Sequence, residues 1–141
     1  MLSERFDRAL VLASTLHRKQ VRKDSGIPYV AHLLGVASLA LEHGADEEQA
    51  IAALLHDAVE DQGGIPTLER IRAEFGDRVA GLVMALTDAV TQPKPPWRKR
   101  KEDYLAHLVD APDEVLLISA CDKLHNARSI VEDHRHVKTA I

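Results

Sequence analysis

The sequence predicts an all-α domain of about seven helices. Apolar residues recur at helical spacing along nearly the whole chain, and no useful stretch alternates apolar and polar residues as a half-buried strand does. Alanine and leucine dominate the apolar set and aromatic residues make up only 4% of the chain, which favours helices over strands. A chain of 141 residues buries roughly 70% of the surface that its unfolded form exposes, so one core can form without disulfides.

The first three predicted helices are bounded by residues that start or stop helices. They span residues 3–19, 29–43 and 46–60. Ser3 and Asp46 are N-cap residue types, whereas Gly44 and the Gly63–Gly64 pair stop the helices before them. Residues 21–28 are polar and contain glycine and proline, so they are predicted to form a loop.

The remaining four predicted helices are also bounded by residues that start or stop helices. They span residues 67–76, 77–88, 97–109 and 113–131. Thr67 opens the first of them and Gly76 ends it. Residues 91–96 contain three prolines and are predicted to form a mobile loop. Trp97 begins the next helix and is predicted to join the core, and Pro112 is a typical first-turn proline for the last.

Composition excludes several classes of protein. The formal net charge of -4 argues against a general nucleic-acid binder, which usually has a basic domain. No apolar stretch approaches the ~20 residues that span a bilayer, so we expect a cytoplasmic protein with no membrane contact. Eight histidines accompany a single cysteine, which excludes a disulfide framework and a cysteine-based zinc module. Any metal must therefore be held by histidines and carboxylates.

Four polar residues follow the apolar run of the third helix. At 3.6 residues per turn, Glu60 lies one turn beyond His56, and Asp61 lies one turn beyond Asp57. Like charges at this spacing repel, and their burial without partners is costly. A divalent cation is one compensation. A solvated helix end with His56 as an ordinary interior residue is the alternative.

The last predicted helix adds an acidic residue to this candidate cluster. It is apolar on most faces, so Asp122 needs a partner, which a metal or Lys123 would supply. An exposed Asp122–Lys123 stripe is the alternative. His32 lies one turn into the second helix, where a half-buried histidine with one hydrogen bond is the plainer interpretation. Taken with His56 and Asp57, these residues give two imidazoles and two carboxylates, a set that suits Mn, Fe or Zn better than Ca or Mg.

The order of these residues resembles a known family. The pattern H…HD…D is that of the HD-domain metal-dependent phosphohydrolases. Nearly the whole chain is similar to the (p)ppGpp hydrolase domain of RelA/SpoT proteins and to small alarmone hydrolases. The matching stretches are residues 17–24, 28–32, 56–61 and 122–128. The resemblance implies a helical bundle of the HD type and a single such domain over residues 1–141. Family domains continue with further helix, so we expect a truncated C-terminus.

The resemblance also implies roles for ten residues. One divalent metal, Mn²⁺ in the family with Fe or Zn as alternatives, would bind His32, His56, Asp57 and Asp122. Glu60 and Asp61 would be the catalytic pair that positions or activates the attacking water. Substrate contacts would come from Arg22, Lys23, Asn126 and Ser129, the last standing where the family often has threonine.

The implied function is metal-dependent hydrolysis of a small-molecule nucleotide. The preferred substrate is guanosine 3′,5′-bis(diphosphate), ppGpp, cleaved at its 3′-pyrophosphate by a metal-activated water. The alternatives are a phosphohydrolase of another nucleotide, such as NADPH or a nucleoside monophosphate, and a nucleotide-sensing module without turnover. Lys94 and the basic run Arg98–Lys101 are predicted to be a solvated helix turn, with reception of the distal phosphates as the alternative.

Overall fold

Helices account for all the regular structure of the described residues. The computed structural model describes residues 1–88 and 94–140, and no strand forms in these ranges. The helices are α1 (Glu4–Leu16), α2 (Val30–Glu42), α3 (Glu47–Leu55), α4 (Ala58–Asp61), α5 (Ile65–Phe75), α6 (Asp77–Ala85), α7 (Trp97–Leu108) and α8 (Asp113–Ala140). The all-α prediction is confirmed, with a single four-residue turn, α4, beside seven longer helices. None of these helices combines the length and the apolar character of a membrane span.

The predicted third helix is interrupted, which corrects the continuous helix expected over residues 46–60. Helix α3 ends at Leu55 and α4 begins at Ala58. Asp57, between them, has φ -101° and ψ 1°. Consecutive side chains on a continuous helix point about 100° apart, and the break changes the angle between His56 and Asp57. The break allows both side chains to turn toward one point.

Four other helix ends differ from the prediction by two residues or more, and loop residues agree where they are described. Helix α1 ends at Leu16 rather than at residue 19, and α6 ends at Ala85 rather than at residue 88. Helix α8 continues to Ala140 rather than Val131, because no glycine or proline follows Pro112. Helix α5 begins two residues early because Pro66 is compatible with a first turn. Residues 94–96 are non-helical as predicted, whereas residues 91–93 of the same expected loop lie outside the described residues.

Helix α3 is the centre of the core. Every residue from Gln49 to Leu55 is buried, and α3 contacts α1, α2, α6 and α8. Helix α8 adds Val115, Ile118 and Cys121 to the same core. The central position of α3 and α8 brings the polar residues at the end of one and in the middle of the other into the interior.

Trp97 does not belong to the core, contrary to the prediction. Its side chain is 67% exposed. It is the first residue of α7, directly after two prolines, and there it extends into solvent. Tyr104 is the buried residue of α7, and its hydroxyl lies 3.0 Å from the Ser119 hydroxyl of α8. Tyr104 and the partly buried Leu108 thus join α7 to the rest of the domain.

A charged network ties the start of α3 to α6 and α8. The Asp46 side chain caps α3 by accepting the Gln49 backbone N–H at 2.9 Å, as the sequence predicted. The Arg78 guanidinium also binds Asp46 at 2.9 Å, Glu48 at 3.0 Å and Glu114 at 2.7 Å. Hydrogen bonds from Arg78 hold the pKa of Asp46 below its ordinary value.

Arg78→Met is expected to lower the free energy of unfolding by about 1 kcal/mol at neutral pH. A carboxyl whose pKa is lowered in the folded state stabilises the protein above the unfolded pKa and loses that contribution as pH falls. The loss should therefore shrink at about pH 3, as measured by urea unfolding at both pH values. Arg98→Met, which removes an exposed pair with Glu102, is the control and should change little. An equal loss at both pH values would contradict this account of Arg78.

Candidate metal and catalytic site

Two histidines and two aspartates converge on one point. The Nε2 atoms of His32 and His56 lie 2.9 and 3.1 Å from Asp122 Oδ1. Asp57 Oδ2 lies 3.0 Å from His56 Nε2 and 3.8 Å from His32 Nε2. One ligand atom from each residue falls within 4.8 Å of all the others. The structure therefore brings together the four side chains that the sequence predicted as metal ligands, hereafter the HHDD cluster.

The four members come from three different parts of the fold. His32 lies in the first turn of α2, His56 and Asp57 lie at the break between α3 and α4, and Asp122 lies in the middle of α8. Both histidines are buried, with 1% and 2% of their surface exposed, and Asp122 is 9% exposed. Burial excludes the exposed Asp122–Lys123 stripe, although Lys123 does bind Asp122 Oδ2 at 2.8 Å.

The charges of the HHDD cluster fit a divalent cation. Burial opposes the charge of Asp57, but the neighbouring His56 lowers its pKa to about 2. Burial likewise opposes a proton on His56, yet Asp57 and Asp122 hold the pKa of His56 well above its ordinary value. Two ionised carboxylates thus draw positive charge to a buried point lined by imidazole nitrogens. Nitrogen and oxygen donors without thiolate suit Mn, Fe or Zn.

Tyr29 supports the cluster, a role that the sequence did not reveal. Its hydroxyl donates a hydrogen bond to Asp57 Oδ2 at 2.5 Å. Burial and then the charge of Asp57 raise the pKa of Tyr29, so the phenol stays protonated and can donate. Ligating carboxylates are oriented by such outer hydrogen bonds.

Glu60 and Asp61 share a cavity with the cluster. A cavity of about 230 Å³ is lined by both residues together with Asp57 and Asp122. Glu60 and Asp61 are half-buried, and burial raises the pKa of Glu60. A carboxyl whose pKa is raised toward neutrality is suited to accept and release protons. The space beside Asp57 and Asp122 is thus open to a small ligand, and Glu60 and Asp61 beside it are candidates for proton transfer.

The basic residues around α7 divide into two groups, which corrects the prediction of a solvated helix turn. Arg98 and Lys99 agree with it, since they pair with exposed acids of their own helix at 2.8 Å. The other three bind the carboxylates of the cavity. Lys94 lies 3.4 Å from Glu60 and 3.2 Å from Asp61, Arg100 lies 3.2 Å from Glu60, and Lys101 binds Asp88. Three cations therefore pair with acidic residues of the cavity, and Lys101 also lines it.

Asp61 is also bound at its second carboxylate oxygen, Oδ2, whereas Lys94 binds Oδ1. Gln20 Nε2 donates to Asp61 Oδ2 at 3.1 Å, while Gln20 Oε1 accepts from His17 Nδ1 at 2.7 Å and from Gln62 Nε2 at 2.8 Å. The donors His17 and Gln62 fix the orientation of the Gln20 amide. Nothing in the sequence singles out Gln20, and the sequence leaves open whether His17 belongs to the site or only ends its helix. The reason is that the type and position of a polar residue after a helix do not show which distant residue it contacts.

Comparison with known proteins identifies the family. A family model described as HD domain matches residues 9–141. The chain belongs to the HD-domain family. Hydrolases of this family use a divalent metal, and the HHDD cluster is the group of side chains that could bind one here.

This HD domain is similar in sequence or structure to three known proteins. It is 37% identical over 132 residues to guanosine-3′,5′-bis(diphosphate) 3′-pyrophosphohydrolase MESH1 of Xenopus tropicalis, covering 88% of this chain and 71% of the relative. It is 39% identical over 125 residues to a probable GTP pyrophosphokinase of Mycobacterium leprae (strain TN), covering 87% of this chain but 15% of that relative. A solved structure described as a metazoan ortholog of SpoT that hydrolyzes ppGpp superposes with a TM-score of 0.81 at 34% identity, covering 89% of this chain and 70% of the other.

The predicted substrate contacts of the HD domain are only partly brought together. Arg22 donates to Asn126 Oδ1 at 3.2 Å, and Asn126 Nδ2 in turn donates to Asp122 Oδ1 at 3.3 Å. Lys23 is exposed in the loop after α1. The Ser129 hydroxyl donates to the His125 carbonyl of its own helix at 3.1 Å. Arg22 and Asn126 thus adjoin the metal ligands, whereas Ser129 is engaged with its backbone.

Proposed function

We propose that this chain hydrolyses ppGpp at its 3′-pyrophosphate, so that water and ppGpp give GDP and pyrophosphate. The observation that carries the proposal is that Asp57 and Asp122 of the HHDD cluster line one cavity together with the Glu60–Asp61 pair. The names of two similar proteins, both covered over about 70% of their length, support this substrate. We further propose that residues 1–141 act as one HD-type domain, in the cytoplasm, on a small-molecule nucleotide.

The HHDD cluster would hold one divalent metal, with Mn²⁺ preferred over Fe or Zn. Such a cation lowers the pKa of water and polarises a phosphoryl oxygen. His32 and His56 supply nitrogen donors, and Asp57 and Asp122 supply the negative charge that retains the cation. Tyr29 keeps the Asp57 carboxylate oriented through its hydrogen bond.

Glu60 and Asp61 would orient the attacking water and take up its proton. Both line the cavity that Asp57 and Asp122 of the HHDD cluster also line. Burial raises the pKa of Glu60, which makes this carboxylate a stronger base than an exposed one. Gln20 and Lys94 bind Asp61 from two directions, so its carboxylate is held in place.

The cations paired with the acidic residues of the cavity would help to admit the nucleotide. Lys94, Arg100 and Lys101 offset the charge of three carboxylates there, so a polyanion is not repelled by the acidic pair. We also propose that Arg22 stacks on the base, since a planar guanidinium can both stack and bind phosphate. Lys23, Asn126 and Ser129 are proposed as further contacts to the nucleotide.

Product analysis tests this proposal against its alternatives. The purified protein is incubated with Mn²⁺ and, in turn, with ppGpp, NADPH and nucleoside monophosphates. We expect pyrophosphate and GDP from ppGpp. Orthophosphate released only from NADPH or a monophosphate would reject ppGpp in favour of another nucleotide. Tight binding without turnover of any of them would identify a sensing module instead.

A further inference from the structure

His125 contacts the metal ligand His32 on the side away from the HHDD cluster. His32 Nε2 faces Asp122 Oδ1 at 2.9 Å, and its other ring nitrogen, Nδ1, lies 2.8 Å from His125 Nδ1. A metal-ligating histidine usually donates its second N–H to an acceptor that fixes the ring. His56 follows this rule with the Ala53 carbonyl at 2.7 Å. His32 meets an imidazole where such an acceptor is expected.

The proton positions follow from the role of His32. Its Nε2 must be unprotonated to bind a cation, so the ring proton lies on Nδ1. Of two nitrogens at hydrogen-bond distance one donates and one accepts, hence His32 Nδ1–H donates to His125 Nδ1. Arg22 Nη2 is the other donor near that atom, at the longer distance of 3.5 Å.

Gly35 makes room for the His125 ring. It lies on α2, one turn after His32 and on the same face. A Cβ atom at position 35 would lie 2.3 Å from His125 Nε2 and 2.4 Å from His125 Cδ2. Glycine is disfavoured in the middle of a helix relative to alanine, so its helical propensity does not explain its presence. The absence of a side chain lets the ring of His125 approach the backbone of α2.

We propose that His125 is a positioning residue for the metal site: it accepts the Nδ1–H of His32, orients Nε2 toward the cluster, and depends on the space at Gly35. The inference rests on the proposed function, because it takes the HHDD cluster to bind a cation. His125 itself does not touch the reacting atoms. It acts on metal affinity through His32.

Gly35→Ala tests the inference without altering any ligand. We expect the Mn²⁺ affinity, measured by calorimetric titration, to fall about 10- to 100-fold, the range seen when such outer partners are lost. Denaturant unfolding of the metal-free variant shows whether it is folded, so that a loss of Mn²⁺ affinity is not mistaken for unfolding. The matched control is Gly81→Ala on α6, where an added Cβ would meet nothing within 4 Å, and its Mn²⁺ affinity should be unchanged.

A second pair of variants keeps the test decisive if Gly35→Ala does not fold. His125→Leu should lose Mn²⁺ affinity as Gly35→Ala does. His125→Asn, whose amide oxygen can accept the His32 proton, should recover most of that loss. Wild-type affinity in Gly35→Ala and His125→Leu would overturn the positioning role while leaving the proposed function intact. If the unsubstituted protein failed to bind Mn²⁺, the proposed function would fail, and the positioning role with it.

Discussion

Asp122→Asn is expected to abolish both metal binding and turnover. Asp122 Oδ1 is the atom on which the Nε2 atoms of His32 and His56 converge, at 2.9 and 3.1 Å. Asparagine keeps the shape of the side chain but removes the negative charge that would retain a cation. Since outer partners alone change metal affinity 10- to 100-fold, loss of a ligand should weaken Mn²⁺ binding by more than about 100-fold.

Calorimetric titration with Mn²⁺ and the rate of ppGpp hydrolysis would measure the effect of Asp122→Asn. The matched control is Asp103→Asn, which removes an exposed carboxylate that pairs with Lys99 on α7 and should leave both quantities unchanged. Wild-type Mn²⁺ affinity in Asp122→Asn would show that the HHDD cluster is not the metal site.

Glu60→Gln is expected to lower kcat by about 10²- to 10⁴-fold, the usual contribution of a positioned acid or base. The amide keeps the size of Glu60 but cannot accept the proton of water. Because Glu60 is not a member of the HHDD cluster, Mn²⁺ affinity should persist. The combination of lost kcat and retained affinity separates a proton-transfer role from a ligand role.

Steady-state kinetics at saturating ppGpp, beside Mn²⁺ titration, test the prediction for Glu60. Glu102→Gln on α7 is the control, since Glu102 is exposed and pairs with Arg98; it should keep full kcat. Full activity in Glu60→Gln would show that Glu60 does not accept the proton of water, and Asp61 would then be the candidate for that role.

The HHDD cluster could be predicted because its polar residues interrupt apolar helices. Asp122 stands in a helix that is apolar on most faces, and His56 follows the buried run of α3. Such residues need partners, and their types limit the partners to a cation or to one another. The family resemblance then grouped them with His32. The substrate contacts and catalytic roles stay predictions, because they depend on where the nucleotide lies.

The features that could not be predicted from the sequence depend on contacts between segments that are distant along the chain. The break at Asp57 replaces a continuous helix because His56 and Asp57 must reach one point, a tertiary requirement that overrides helical periodicity. Arg100 stands in a run of charge that also contains solvated residues, and only the docking of α7 sets it 3.2 Å from Glu60. Likewise, the need for glycine at position 35 is visible only when His125 lies against α2.

The most direct test of the account combines metal content with product identity. The protein is stripped with a chelator, titrated with Mn²⁺ and supplied with ppGpp, and the bound metal and the released phosphates are measured together. We expect one Mn²⁺ per chain, and we expect GDP and pyrophosphate to appear in proportion to the metal bound. Undiminished hydrolysis in the presence of the chelator, or orthophosphate as the product, would contradict the account.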